Sequence, residues 1–320
     1  MNTLAVLTSG GDAPGMNAAI RSVVRSATQA GRAVYGIPLG YEGLLYEEWI
    51  PLATRDVGGI VNRGGTMLKT ARCDAFRHPE VQAAAVERLQ AKGVDGLVVI
   101  GGDGSMAGAS ALSDIGFPTV TIPGTIDNDM NGTDYTIGFD TAVNSVVEAV
   151  GKIRDTTVAH ERTAVVEVMG RTSGHIAVRA GLACGAEIVL IPERNVPLDT
   201  VCGRLNDTYA NGKRYSIVLV AEGAYSGYAV ADFIRTHTEL EPNVTVLGYL
   251  QRGGAPTAHD AVTAAKAGAA AVEALRAGRL GTLVACSGGR TVLRTYEEAR
   301  SMPHALNIED YELISALGRQ

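Results

Sequence analysis

Between Gly96 and Ile100 the chain reads GLVVI, without a polar side chain at any position. A strand with one face in water alternates apolar and polar residues, so an unbroken run like this must be covered on both faces. TVTI (Thr119–Ile122), TAVVEV (Thr163–Val168), AEIVLI (Ala186–Ile191) and SIVLVA (Ser216–Ala221) come close to the same pattern, and Leu4–Leu7 and Val34–Ile37 are shorter versions. Helical periodicity fills the intervals. Asn17–Ala30 carries a stripe of Ala18, Ala19, Val23, Val24 and Ala27 closed by Gly31; Pro79–Lys92 stops at Gly93; Thr141–Arg154 and Ala258–Ala277 are further candidates. Such alternation predicts an α/β fold with mostly parallel sheets. At 320 residues there is length for two doubly wound domains. We expect one from 1–138 plus about 255–300, and the other from 139–254 plus 301–320.

Composition narrows the classes of partner. A net charge of −6 argues against nucleic acid and anionic membrane surfaces, and an aromatic content of 5% leaves little for base stacking. Cys73, Cys184, Cys202 and Cys286 show no CxxC spacing, which fits free thiols in a reducing compartment. No signal-like or membrane-length apolar run appears, so a cytoplasmic protein is expected.

Two loops at strand-to-helix junctions are rich in glycine: TSGGDAPG after the first strand and GGDGS (Gly101–Ser105) after GLVVI. In open α/β sheets such loops lie where ligands bind, and glycine lets main-chain N–H groups approach an anion at a helix N-terminus. Either loop alone could be a tight turn, and neither has the GxxxxGK[ST] or GxGxxG spacing. Asp103, among glycines, is placed to hold Mg²⁺ shared with a phosphate. A third stretch, PGTIDNDMNGTDYTIGFDTA (Pro123–Ala142), carries Asp127 and Asp129 two apart. In an extended segment both carboxylates point one way, one to take a hydroxyl proton and the other toward a metal. Asp pairs are also common turn residues, so this pair alone leaves both readings open. Beside two phosphate cradles it suits phosphoryl transfer, which needs a metal, a base and cations on the migrating group.

LTSGGDAPGMNAAIR, VNRGGTMLKTAR, VVIGGDGS, PGTIDND, GTDYTIGFDTA, IRDT, HERT, VEVMGR and VLGYLQRGG together closely resemble the ATP-type bacterial 6-phosphofructokinases, from Leu4 to about Ala277. The last forty residues resemble them less. The resemblance implies a phosphofructokinase-like fold and transfer of a phosphoryl group from ATP, with Mg²⁺, to the 1-hydroxyl of fructose 6-phosphate. By it, Gly11 and Arg72 stand at the transferred phosphoryl group, and Asp103 carries Mg²⁺ while Gly102, Gly104 and Ser105 line the nucleotide. Tyr41, Cys73 and Arg77 fall near the adenosine. Asp127 matches the general base, Thr125 and Arg171 the groups holding developing charge, and Asp129 a support for the metal. Arg162, Met169, Gly170, Glu222 and Arg252 match sugar contacts.

Departures from the family pattern carry their own expectations. Pyrophosphate-using relatives have Asp where this chain has Gly104 and Lys where it has Gly124, so ATP is the expected donor. Asn243 and Tyr249 replace an Arg and a His that hold the sugar's 6-phosphate. A charge-assisted hydrogen bond is worth roughly 1.5–3 kcal/mol, so losing the Arg weakens a dianion by about tenfold or more. An alternative acceptor is therefore a ketose with less charge at C6, such as 6-deoxy-6-sulfofructose. Arg21, Arg25, Arg154, Gly185, Glu187 and Lys213 match the family's effector site, but Thr54, Gly59 and Asn211 replace an Arg, an Asp and an Arg. Weak allosteric control is expected, in a homotetramer by analogy. A dehydrogenase lacks its glycine spacing here, and a catalytically dead nucleotide sensor would have lost Asp103, Asp127 or Arg171. His175 stands where the family has Asp; Trp49 reads as a partly buried anchor.

Overall fold

A computed structural model describes residues 2–46 and 48–318. The order begins β1 (Thr3–Ser9), α1 (Met16–Gln29), β2 (Ala33–Ile37), α2 (Tyr41–Tyr46), β3 (Ile50–Pro51), α3 (Pro79–Ala91), β4 (Gly96–Gly101), α4 (Asp103–Asp114) and β5 (Thr119–Pro123). It continues with α5 (Phe139–Ala159), β6 (Thr163–Val168), α6 (His175–Cys184), β7 (Ile188–Leu190), α7 (Leu198–Ala210), β8 (Ser216–Ala221), α8 (Gly227–His237) and β9 (Pro242–Val246). α9 (Ala258–Arg276), β10 (Thr282–Ser287), β11 (Arg290–Thr295), α10 (Tyr296–Ser301) and α11 (Ile308–Leu317) follow.

The chain divides into two compact units. The first comprises residues up to Ile126, then Met130–Thr141 and Arg252–His304; the second comprises Asp127–Asp129, Ala142–Gln251 and the residues from Ala305 onward. These borders fall at 141 and 252, where the sequence suggested 138 and 254, and they assign the short Asp127–Asp129 segment to the second unit.

In the first unit the sheet runs β11-β10-β5-β4-β1-β2-β3, parallel from β10 to β2 and antiparallel at each edge. β1 and β4 are wholly or almost wholly buried, as their unbroken apolar runs require. The chain builds outward from β1 to β2 on one side and from β4 to β5 on the other, so the strand order reverses between β1 and β4. The register sets Ser9 opposite Gly101, which brings the two glycine loops side by side at that reversal. α9 covers one face by packing closely on α1. A Cβ at Gly268 would lie 2.5 Å from Ser22 Cβ, and the Ser22 hydroxyl donates to the Ala265 carbonyl (2.5 Å).

In the second unit the sheet runs β7-β8-β6-β9 and every pair is parallel. Val165, Leu190, Val201, Val218 and Ile234 are buried together in its core. The register sets Val168 opposite Ala221, so the loops leaving β6 and β8 begin beside each other. β7 is shorter than the apolar run Ala186–Ile191 suggests, and α5 is longer than Thr141–Arg154.

Candidate active site

The first unit contributes a cradle of main chain. Gly102 caps the start of α4, so no side chain covers the first turn, and Asp103 stands exposed as its first residue. Gly101 has no room for a side chain: a Cβ would lie 2.5 Å from the Ser9 carbonyl oxygen. Ser105 is buried, and its hydroxyl donates to that same carbonyl at 2.9 Å. It therefore locks the β4 loop to the β1 loop. Tyr41 is likewise only 5% exposed. Its ring stacks on Phe76 (centroids 4.2 Å) and its hydroxyl donates to the Ser105 carbonyl. Burial pushes its phenol well above the ordinary tyrosine pKa, so it is a neutral donor holding α4 from below. Gly108, which carries no local sequence signal, lets the Tyr41 ring approach α4: a Cβ there would lie 2.7 Å from that ring.

The segment VNRGGTMLKTAR is moored to the same loop. Thr70 donates to the Gly10 carbonyl (2.8 Å), and Thr8 donates to the Lys69 carbonyl (2.8 Å). Asn17, buried on α1, donates to the carbonyls of Arg63 and Gly64 and accepts from the Met67 N–H (2.7 Å). These ties lead the chain to exposed Arg72, and Cys73 then packs against the core. Arg77 is exposed and pairs only loosely with Asp74 (3.7 Å). Arg252, expected at the sugar's phosphate, donates through Nη1 to the Asp12 carbonyl (3.0 Å) and lies where a Gly11 Cβ would be. A guanidinium thus stands directly over the phosphate-type loop.

The second unit contributes side chains on forced backbone. Asp127 is 3% exposed, and its carbonyl accepts the Ser173 hydroxyl (3.1 Å). Asn128 and Arg171 both adopt left-handed φ angles, +52° and +54°. Such residues cost about 1–3 kcal/mol each and persist only where their surroundings hold them. For Arg171 the surroundings are explicit. Glu222 Oε1 accepts from the N–H groups of Gly170 (3.2 Å) and Arg171 (2.8 Å), and a Cβ at Gly223 would lie 2.1 Å from the Arg171 carbonyl oxygen. Gln251, fully buried, accepts from the Met169 N–H (3.1 Å). Ser173, Gly223 and Gln251 escaped the sequence reading because their partners are far away in the chain.

At the carboxyl ends of β6, β8 and β9 a cavity of about 220 Å³ is lined by Glu167, Met169, Glu222, Val246, Gly248 and Tyr249, among others. Its size suits a hexose. Asn243 on β9 is exposed, as is Arg162, which follows Glu161 in a left-handed turn (φ +51°). His175 is buried at the start of α6.

A phosphofructokinase family model matches residues 3–275. The chain is 52% identical over 317 residues to an ATP-dependent 6-phosphofructokinase of Lysinibacillus sphaericus, covering 99% of each protein. It is 50% identical, over the same span, to one of Bacillus cereus. The chain belongs to the phosphofructokinase family. Among solved structures, phosphofructokinase from Saccharomyces cerevisiae superposes with a TM-score of 0.89 at 35% identity; the match covers 98% of this chain and 50% of the yeast chain, so this chain spans half that length. A pyrophosphate-dependent phosphofructokinase from Marinobacter aquaeolei, 22% identical, shares the fold (TM-score 0.86).

Gly104 and Gly124 differ in surroundings. A Cβ at Gly104 would meet nothing within 4 Å, so the space beside Asp103 is open. One at Gly124 would lie 3.1 Å from Ile100 and 3.4 Å from Met16, so a long side chain there would displace the core. No cluster of three acidic, His or Cys side chains able to cage a metal exists among the described residues. A single exposed carboxylate, Asp103, suits a Mg²⁺ that arrives with phosphate oxygens and keeps several waters. Among the described residues, no helix is long and apolar enough to cross a membrane.

Proposed function

We propose that this protein is an ATP-dependent 6-phosphofructokinase, which moves the terminal phosphoryl group of ATP to the 1-hydroxyl of fructose 6-phosphate, giving fructose 1,6-bisphosphate and ADP. The observation that carries the reading is end-to-end similarity, at 49–52% identity, to proteins bearing that name. Asp127 accepts the proton of the 1-hydroxyl as its oxygen attacks the terminal phosphorus and the bond to the ADP oxygen breaks. Arg171, Arg72, Thr125 and the Gly11 N–H hold the charge that develops on the migrating group. Mg²⁺, held through Asp103 with support from Asp129, neutralises the phosphate oxygens when bound. Met169, Glu222 and Tyr249 line the sugar cavity. Arg162 and Asn243 lie at the opposite, amino ends of β6 and β9, and by analogy with the family's tetramer they serve the cavity of a neighbouring subunit, while Gly170 and Arg252 are assigned to the sugar by the resemblance.

The sulfonated ketose is not favoured as acceptor, because relatives matching 99% of the chain are named for fructose 6-phosphate chemistry. Asn and Tyr donate neutral hydrogen bonds in place of the charged pair. A cytoplasmic homotetramer belongs to the same proposal. Its support is an exposed apolar strip of Val246, Tyr249 and Leu250 beside the sugar cavity, with Tyr249 83% exposed. The test measures formation of the ketose 1-phosphate ester directly, by ³¹P NMR, with each pairing of ATP or pyrophosphate with fructose 6-phosphate or sulfofructose. The ATP and fructose 6-phosphate pair should give the highest kcat/KM; preference for pyrophosphate or for the sulfonate would overturn the assignment.

A further inference from the structure

We infer that Asp260, on α9, is a positioning residue for phosphoryl transfer, acting through Thr136 on the main chain of Thr125. The inference rests on the kinase reading above. Asp260 is fully buried and belongs to none of the phosphate or sugar contacts. Its Oδ1 accepts from the Gly138 N–H (2.8 Å) and the Tyr135 hydroxyl (3.2 Å); its Oδ2 accepts from the Thr141 N–H (2.8 Å) and hydroxyl (2.5 Å). The Tyr135 oxygen in turn accepts from the Asp140 N–H (2.8 Å), and the Thr136 carbonyl accepts from the Phe139 N–H (3.3 Å). Four consecutive N–H groups at the start of α5 are satisfied, three of them by Asp260 directly or through Tyr135. Only a carboxylate offers acceptor sites for four donors; an amide oxygen serves two.

That cap holds the segment Thr136–Gly138 in place, and the segment touches both parts of the phosphate machinery in the first unit. The Ile137 N–H donates to the Pro123 carbonyl (2.9 Å), and the Thr136 hydroxyl donates to the Thr125 carbonyl (2.7 Å). On its other side Ile137 occupies the place of a Gly15 side chain, its Cγ2 being 2.6 Å from where a Cβ would stand. Burial pushes the Asp260 carboxyl above its ordinary pKa, so ionising it there has a cost. A helix N-terminus needing only a cap is served by Ser, Thr or Asn without that cost. The carboxylate is explained when it also has to fix the geometry of Thr125, where misplacement by about 1 Å costs on the order of a hundredfold in rate.

The experiment compares wild type with Asp260→Asn, Thr136→Val, Thr136→Ser and the Asp260→Asn/Thr136→Val double variant, assaying kcat and both KM values well below each melting temperature. Thr136→Val, which keeps shape and loses the hydroxyl, should lower kcat about tenfold or more while each KM moves less than about threefold. Thr136→Ser should restore it to within about twofold. Asp260→Asn should lower kcat at least as much. The double variant should fall no more than about twofold below the worse single, because both substitutions act on one path. A folded Thr136→Val enzyme with wild-type kcat, or losses that multiply in the double variant, would overturn the inference. Should Asp260→Asn fail to fold, the Thr136 pair decides alone. A wild type that does not phosphorylate fructose 6-phosphate would instead bring down the kinase reading, and this inference with it.

Discussion

The two units shape their candidate ligand loops with different emphasis. In the first, glycine removes side chains: Gly101, Gly102 and Gly104 leave the start of α4 bare, and nothing lies within 4 Å of a Cβ placed at Gly104. In the second, side chains pin backbone into conformations it would not choose, with Asn128 and Arg171 left-handed and Glu222 and Ser173 holding the loops around them. A bare cradle is completed by the ligand's own phosphates and metal. A pinned loop is complete beforehand, and so spends less on reorganisation when charge develops. Small neutral bulk should therefore be tolerated at Gly104, where the space is open, and punished at Gly223, beside the Arg171 loop, even though it removes no functional group.

The largest effect belongs to the pinned half. Asp127→Ala removes the proposed base and should lower kcat by about 10²–10⁴ with modest change in either KM. Single-turnover measurement at saturating substrates checks it, and near-normal turnover would break the mechanism outright.

Next comes a substitution that touches no ligand. Gly223→Ala places a methyl 2.1 Å from the Arg171 carbonyl, too close to accommodate without moving the Arg171 loop. We expect kcat/KM for the sugar to fall about a hundredfold, an amount typical of misplacing a reacting group by about 1 Å. Gly104→Ala, the same chemical change in the open half, should leave kcat within about threefold, since only van der Waals space is filled. Equal damage from the two alanines would erase the contrast between the units.

Charge sharpens it from the other side. Gly104→Asp sets a second carboxylate beside Asp103 at the mouth of the phosphate cradle, where like charges oppose a triphosphate. The KM for ATP should rise about tenfold while that for fructose 6-phosphate stays within about twofold; one unit of pKa-scale interaction, about 1.4 kcal/mol, is enough. An unchanged KM for ATP would mean the nucleotide tail lies elsewhere.

What the sequence could reveal depends on how local each signal is. The unbroken apolar strands and the glycine loops at their ends are local signals, so β1, β4, β5, β6 and β8 and the cradle between Ser9 and Ser105 could be read from the residues alone. The β10–β11 hairpin has a local signal too, Gly288-Gly289 with positive φ at both positions between two β-rich runs. The pinning contacts left no local trace. Ser173 and Asp127 are 46 residues apart, Arg171 and Glu222 are 51 apart, and Asp260 sits over a hundred residues from Gly138. Tyr41 and Ser105 were legible as members of the nucleotide region, yet only packing shows that both hold the loops from beneath.

The smallest expected effect concerns regulation, and it extends the contrast beyond the site. Among the second-unit residues proposed, from the resemblance, to match an effector site, Lys213 Nζ is already paired with Glu187 Oε1 at 2.5 Å, both side chains largely buried. Arg154 Nη2 donates to the carbonyls of Cys184 (2.5 Å) and Gly185 (3.1 Å). Two of the cations that would meet an incoming phosphate thus have protein partners, and breaking a buried pair leaves Glu187 uncompensated, a cost of about 3–5 kcal/mol. With Thr54, Gly59 and Asn211 in place of charged residues, nothing on these positions repays that cost. ADP or phosphoenolpyruvate at millimolar concentration should therefore shift the half-saturating fructose 6-phosphate by less than about threefold, well short of the 5–150-fold typical of allosteric coupling. Lys213→Met would sharpen the point: it should lower the melting temperature by exposing Glu187 to a lost partner, yet leave that small effector response unchanged. A strong response abolished by Lys213→Met would show instead that the pair opens to admit the effector.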